Sequence, residues 1–449
     1  MVLSLLFLAI FLSVGFALMS EVTLGLQTAE NFHSAQDARM AAESGLHFML
    51  YQLKKVRLPG DTTDATLIPN LRSALGQRLD GTTNLNGATV QNSGAAVFVP
   101  EIQVDGGGTF CSWVSVLEGD RCRLTAKGSA HGVSRYVTID MLLGREVSQV
   151  LSYGLASRGQ IQISGETRII GVNKPTEANI FSATTSGGAA IHIQGNSAQI
   201  SGDVFLAGGA EQVLLEGTPS IGGTDDPDAI LDHIHCGVDP PDFPVLNTAP
   251  LAALATNVVD KSTKTNASGL VFNNIRIAAG TNPTFNSDVV VNGILFVESP
   301  NVVTFEGHAT VNAIIVTEDA DDAIDSCRIR FAGTVDANGV EALPDTPEFT
   351  AVKQHTGTFI VAPGFGVEFE GNFGTINGSI AADRVAFAGT SEGTIRGTII
   401  GLADLPMTLE GNVRVFLDKS GINEDPAGFL KPFAMGVLPD TYRELSAAP

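Results

Sequence analysis

The chain opens on nineteen residues, MVLSLLFLAIFLSVGFALM, that are apolar apart from Ser4, Ser13 and Gly15. A helix needs about 20 such residues to cross a bilayer. Apolar or small residues then recur at Ala35, Ala38, Ala42, Gly45, Leu46, Met49, Leu53 and Val56, the three-four spacing of an amphipathic helix. No proline interrupts until Pro59, with Gly60 behind it, so one helix is predicted from residue 1 to about residue 57. Its length would be roughly 85 Å at ~1.5 Å per residue. Residues 61–90 are turn-rich with one short helical candidate at 71–79. From Ala95 the period shortens to two, and 96–104, 109–117, 121–128 and 134–143 read as strands bounded by Gly or Asp turns.

Beyond residue 150 a short pattern repeats: an aliphatic residue, any residue, Ile, Leu or Phe, any residue, Gly. Its eight copies end at Gly165, Gly195, Gly217, Gly307, Gly333, Gly371, Gly389 and Gly411, at intervals of 30, 22, 90, 26, 38, 18 and 22. Alternation puts both apolar side chains on one strand face, and Gly permits a sharp corner after it. Coils of this kind bury their apolar columns only by stacking, which predicts a β-solenoid of the parallel β-helix type. An antiparallel sandwich is the competing reading, but its hairpins do not require the recurring Gly step. The long interval holds a Pro-rich stretch, 238–250, read as an excursion from the solenoid or a joint between two stacks. The predicted class is therefore α+β: a long N-terminal helix, a small antiparallel β domain and a β-solenoid head. The expected boundaries are 1–58, 59–148 and 149–437, with the inserted Pro-rich segment near 237–270 and a tail at 438–449.

The apolar run continuing into Gln36-x-Ala38 and Ala41-Ala42-Glu43-Ser44-Gly45-Leu46 resembles the N-terminal helix of type IV pilins, especially the PilX-type branch. The likeness covers about the first 57 residues. It implies cleavage by a prepilin peptidase before Met1, and a removed basic leader would explain why the first basic residue is Arg39. It further implies N-methylation of Met1, residence in the inner membrane before assembly, and helix packing by the pilus assembly machinery into a homopolymeric surface filament. Leu5, Leu12, Phe16, Glu21, Ala42, Glu43, Gly45 and Leu46 would lie on the assembly helix. Major pilins usually carry Glu at the fifth mature position; Leu5 stands there, and the first acid is Glu21. That departure favours a minor pilin or secretion pseudopilin that primes or caps a filament. A third reading uses the helix only as a tether for a carbohydrate-binding or carbohydrate-active β-helix.

Composition adjusts this picture in three ways. With 26 basic and 48 acidic side chains the chain carries −22 formally, which argues against binding to phosphate backbones. The 49 Gly lack a Gly-X-Y period, which excludes collagen and favours turn-rich β structure. No charge lies in residues 1–20, so the acidity belongs to the chain beyond the apolar run. Surface glycans or other cells remain open as partners of the head.

Candidate chemistry is sparse. Cys111 and Cys122 bracket the first hairpin and could form a disulfide, although a turn at Gly119 does not set them directly opposite. His233, His235, Cys236 and Asp239 carry zinc-ligand chemistry, or Cys236 pairs with Cys327. Glu318, Asp319, Asp321, Asp322 and Asp325 are dense enough to hold Ca²⁺ or to form a solvated acidic loop; Asp225, Asp226 and Asp228 are a weaker case. Ser391 between Gly389 and Gly393 has the letters of a nucleophile elbow, but a strand-like segment follows where that motif needs a helix. Asp383-Arg384 reads as a surface pair. No phosphate loop or dinucleotide fingerprint is present. Catalysis is not expected, and no cofactor beyond Ca²⁺ is implied.

Overall fold

The computed structural model describes residues 2–185, 187–320 and 324–445. They divide into two units, 1–146 with 432–449, and 147–431.

In the first unit a single helix, α1, spans Val2–Lys55. After the short strand β1 (Arg57–Leu58) comes α2, Leu67–Leu79, which begins four residues before the expected start and buries Leu67, Leu71, Leu75 and Leu79. Strands β2 (Gln91–Ser93), β3 (Ala96–Val104), β4 (Gly108–Val116), β5 (Arg121–Ala130) and β6 (Val133–Arg145) form an antiparallel meander. Their alternation is regular: Phe110, Ser112 and Val114 of β4 face inward, while Thr109, Cys111, Trp113 and Ser115 face the other way.

The far edge of β6 is where the expected boundaries are corrected. Phe433–Val437 is not a last solenoid strand. It pairs antiparallel with β6, Phe433 opposite Arg145, and Leu58 of β1 lies on its other side. Arg443–Leu445, expected in a tail, also pairs with β6, Leu445 opposite Tyr136. The solenoid is thus inserted into the first sheet. Alternating apolar residues such as Phe433-x-Met435-x-Val437 mark a strand but not the sheet it joins.

The second unit is a stack of parallel strands, three to a coil. All eight motif copies lie in one column, but not in chain order. Residues 303–305 pair with 329–331, these with 367–369, then 385–389, then 407–411. The last copy then pairs with the first, Met407 opposite Ile161 and Gly411 opposite Gly165, and the column continues through 191–194 to 213–216. The chain enters mid-stack, winds outward to residue 235, crosses to the far end, and winds back from residue 257 to meet its own first coil. Two half-stacks, 155–235 and 257–417, therefore share one interior, joined at a seam.

Inside that column the rings of Phe285, Phe305, Phe331, Phe369 and Phe387 stack at centroid spacings of 5.0, 5.1, 5.0 and 4.9 Å. Each such pair adds about 0.5–1.5 kcal/mol beyond area burial. The motif glycines are required by close approach: a Cβ on Gly165 would lie 2.5 Å from the Gly411 carbonyl oxygen, and one on Gly333 would lie 2.2 Å from that of Gly307. The outer face of a second column is also apolar. Its Ala156, Phe181, Val361, Ala381 and Ile400 pack with Val150, Leu151 and Phe429. Further along, Ile294, Phe296, Ile314 and Val316 pack with Leu251, Ala255 and Phe349. The Pro-rich crossing segment thus covers a face that would otherwise meet water, its Val245–Leu246 pairing with Phe429–Leu430.

Candidate functional site

α1 has two contrasting halves. Every described residue from Leu3 to His33 is exposed, Phe11 at 71% and Phe16 at 67%. Three of the hydroxyls in this stretch turn inward: Ser13 donates to the Ile10 carbonyl at 2.8 Å, Thr23 to that of Met19 at 2.7 Å and Thr28 to that of Leu24 at 2.8 Å. Their polarity is satisfied within the helix, which leaves an exposed stretch about 45 Å long at ~1.5 Å per residue, apolar on all sides up to Met19 and mixed with Glu21, Gln27, Glu30 and Asn31 beyond it. Leu12 and Phe16 lie on it, and Glu21 is exposed near its middle. Met1 and the Leu5 side chain lie outside the described residues.

From Ser34 onward one stripe is buried. Ala38, Ala41, Ala42, Leu46, Met49 and Leu53 pack on the unit's own sheet. Small residues on both sides allow the approach: a Cβ on Gly128 would lie 2.1 Å from the Ala38 carbonyl oxygen and 2.2 Å from the Ala42 nitrogen. A Cβ on Gly45 would lie 2.5 Å from the Phe110 ring. Ala42, Gly45 and Leu46 therefore hold the helix on its own sheet, while Leu12 and Phe16 meet nothing within the chain. Glu43 accepts from Arg39 at 3.0 Å and from the Tyr442 hydroxyl at 3.2 Å, and Arg39 also reaches Glu444 at 3.4 Å. These exposed ion pairs contribute little energy, but they connect the last strand to the helix.

The seam holds the densest buried polar cluster that the sequence did not reveal. Glu177, 3% exposed, accepts from the Asn173 backbone N–H at 2.8 Å, the Asn173 side chain at 3.1 Å and the Lys419 N–H at 3.3 Å. Burial opposes its charge, but the hydrogen bonds from Asn173, Lys174 and Lys419 together outweigh it and hold Glu177 below the usual carboxylate range. Asp418 accepts from the Ser420 hydroxyl at 2.5 Å, Asn173 at 3.0 Å and Arg396 at 3.3 Å. The Ser420 hydrogen bond outweighs burial and holds Asp418 low as well. The Lys419 ammonium donates to the Leu151 carbonyl at 2.7 Å, to Tyr153 and to Thr398. Burial pushes that ammonium down to about 7. Asn173 and Glu177 come from one half-stack and Arg396, Thr398, Asp418 and Lys419 from the other, so the cluster exists only when the halves meet.

The remaining sequence candidates fall elsewhere. All four cysteines are free. Register explains the first pair: Cys122 lies opposite Val116, five residues along β4 from Cys111. An odd offset puts the two thiols on opposite faces, roughly 16 Å apart at ~3.3 Å per residue. Cys122 is buried, which pushes its thiol up to about 11. Cys236 follows the outermost coil of the first half-stack, whereas Cys327 lies about seven strand spacings away. At ~4.8 Å per spacing that is far beyond the ~7 Å Cα separation a bridge tolerates. His233 and His235 converge on Asp203, at 2.7 and 3.2 Å, rather than on Cys236 or Asp239. Among the described residues no group of His, Cys, Asp and Glu is placed to hold a metal. Asp321 and Asp322 lie outside the described residues. Of their neighbours, Glu318 accepts the Ser299 N–H at 2.9 Å and Asp325 is exposed. Asp226 caps the short helix Pro227–Ile230 through the Asp228 N–H. Ser391 is fully buried in a solenoid corner. Arg384 pairs at 2.8 Å with Glu368, which Arg328 and Arg330 also approach; Asp383 does not join them as a pair but accepts the Gly364 N–H.

The first unit is thus a long N-terminal helix whose second half packs on an antiparallel sheet, and a large parallel solenoid is inserted into that sheet's chain. No protein-family model matches the chain, and no curated protein matches it. Among solved structures it is similar to the competence-associated pilin ComZ from Thermus thermophilus, at 11% identity, over 92% of this chain and 97% of that one. The TM-score is 0.23, so the two chains do not superpose as wholes.

Proposed function

We propose that this chain is a structural subunit of a type IV pilus-like surface filament, assembled through the first half of α1. The carrying observation is the division of that helix. Residues 3–33 expose large apolar side chains that find no partner in the chain, whereas the stripe from Ser34 to Leu53 is buried by its own sheet. Such a surface costs about 25 cal/mol per Å² of apolar area left in water, so it needs lipid or other helices around it. Before assembly the inner membrane supplies the first; in a filament, copies of the same helix supply the second. The pilin-type motif at Ala41 to Leu46 agrees with this reading, with prepilin peptidase processing and N-methylation at Met1 as its expected corollaries. The test is mass spectrometry of sheared, purified surface filaments. Recovery of this chain in stoichiometric amount is expected, and its absence contradicts the proposal.

Leu5, in the place of the usual acid, favours a second reading in which the chain primes or caps the filament. Recovery at trace stoichiometry would select that reading over the first.

A further inference from the structure

The two ends of the solenoid differ in chemistry and match in geometry. From residue 257 to 417, and again from 155 to 235, the chain advances along the stack in one sense. Strands 213–216, 220–221 and 234–235 therefore close one end, and 257–259, 270–273 and 284–285 the other. Among the described residues, 213–216 and 234–235 have ladder partners only in the coil inside them, and 220–221 adds a single bridge to Thr224. At the other end 257–259, 270–273 and 284–285 also pair on one side alone. An unpaired strand edge is a template for a further strand.

Apolar side chains mark the same two places. Leu215 and Ile234 at one end, and Leu270 and Phe272 at the other, pack on the solenoid interior but stay half-buried, because no further coil covers them. Leu214, Leu231, Val258 and Val271 are exposed in these end coils. Elsewhere in 150–431, Val172 is the only large hydrophobic side chain among the described residues that is exposed.

Charge selects what covers them. Residues 204–239 carry seven carboxylates and no Lys or Arg, with Glu216, Asp225, Asp228 and Asp232 exposed. The opposite end carries Lys261 and Lys264, which are exposed, have no ion-pair partner among the described residues, and lie beside 281–284 of the terminal coil. Two acidic ends repel each other, whereas the acidic end of one copy attracts the lysine end of another. That pairing also continues all three strand columns with unchanged polarity. We propose that the solenoids of neighbouring copies stack head to tail, the 204–239 end of one on the 257–286 end of the next. The contact is heterologous, so it extends into rows rather than closing as a two-fold pair. It does not rest on the filament reading, because every residue it uses lies in the inserted solenoid.

The test uses full-length protein in dodecyl dimethylamine oxide micelles, with one chain per micelle, so that detergent covers residues 3–33. Sedimentation should show association with a Kd on the order of 100 μM at about 50 mM salt, as a small interface gives, weakened at least about fivefold at about 500 mM. Carbodiimide coupling, which joins amines to carboxylates without a spacer, should link Lys261 or Lys264 to a carboxylate of 204–239. The two ends lie eight strand spacings apart along the motif column. That is roughly 38 Å at ~4.8 Å per spacing, so the link forms only between copies. Lys261→Glu with Lys264→Glu should weaken association at least about tenfold with the melting curve unchanged, and so should Asp225→Lys with Asp232→Lys. Mixed, the two variants should pair again, because the first keeps an intact acidic end and the second an intact lysine end. No association by about 1 mM, well beyond the expected Kd, would overturn the proposal. So would association that both charge reversals leave unchanged, a mixture that does not recover, or cross-links that join like ends.

Discussion

The apolar run of α1 up to Met19 and the interior of the solenoid are the two most apolar parts of the molecule, yet they end in opposite conditions. In the helix, Phe7, Phe11 and Phe16 are exposed; in the solenoid, Phe305, Phe331, Phe369 and Phe387 are fully buried. The difference lies in periodicity. A strand with alternating residues offers one apolar face, and a closed stack of coils hides all such faces from water. Up to Met19 the helix is apolar around its whole circumference and has no polar side to turn outward, so it calls for lipid or other helices on every face, and here its own chain covers none of them. The second half of α1 shows the intermediate case, where small residues on one stripe let the sheet come close.

The sharpest way to break the closed region is Phe369→Ala. It removes the ring between Phe331 and Phe387 and leaves a cavity, so the solenoid should lose about 3–5 kcal/mol. Hydrogen exchange of the amides in 360–411 would accelerate accordingly. Next comes the closed stripe of the helix. Gly128→Val places a side chain against backbone atoms of Ala38 and Ala42 that cannot yield, at a cost of about 1–3 kcal/mol. Fluorescence of Trp113, which lies in the same sheet, gives the unfolding midpoint.

The seam responds to pH. Lys419 has a folded pKa of about 7, below the ordinary 10.5. Between those values the unfolded chain binds the proton that the folded chain has released, so stability rises with pH across that window. Below about pH 7 both states are protonated and the cost of burying the ammonium is constant. The urea midpoint of the wild type should climb from pH 7 toward 10, and that of Lys419→Met should climb less. Equal slopes would show that Lys419 is not the group responsible. The smallest effect on folding is expected in the open region: Phe16→Glu should leave the unfolding midpoint within about 0.5 kcal/mol of wild type, yet abolish filament incorporation. A large loss of stability there would mean that Phe16 packs within its own chain.

Much of this was legible in the residue pattern. The apolar run, the helical stripe from Ala38 to Leu53 and four strands of the first sheet, β3 to β6, follow from local periods. So does the inward pair of each solenoid motif. The order of coils was not, because every copy of the motif is chemically equivalent. Nothing local says that Met407 neighbours Ile161 rather than a residue of the preceding coil alone. The seam cluster was invisible for the same reason, since Asn173 meets Asp418 and Glu177 meets Lys419 across some 240 residues of chain. One signal could have pointed to it: the first and last copies each lacked a successive partner on one side. The cysteine pairs failed on register and on stacking order, neither of which spacing alone reveals. The reason for Gly45 likewise lay outside the helix, in the Phe110 ring that takes its missing side chain's place.

The central claim is that residues 3–33 are covered by copies of themselves. Helical reconstruction of native filaments by electron cryomicroscopy tests it most directly. An axial bundle is expected in which Phe7, Phe11 and Phe16 of each subunit contact neighbouring helices, with the sheet-packed half of α1 toward the outside. Filaments whose core is built from other chains, with this helix absent from the bundle, would contradict it.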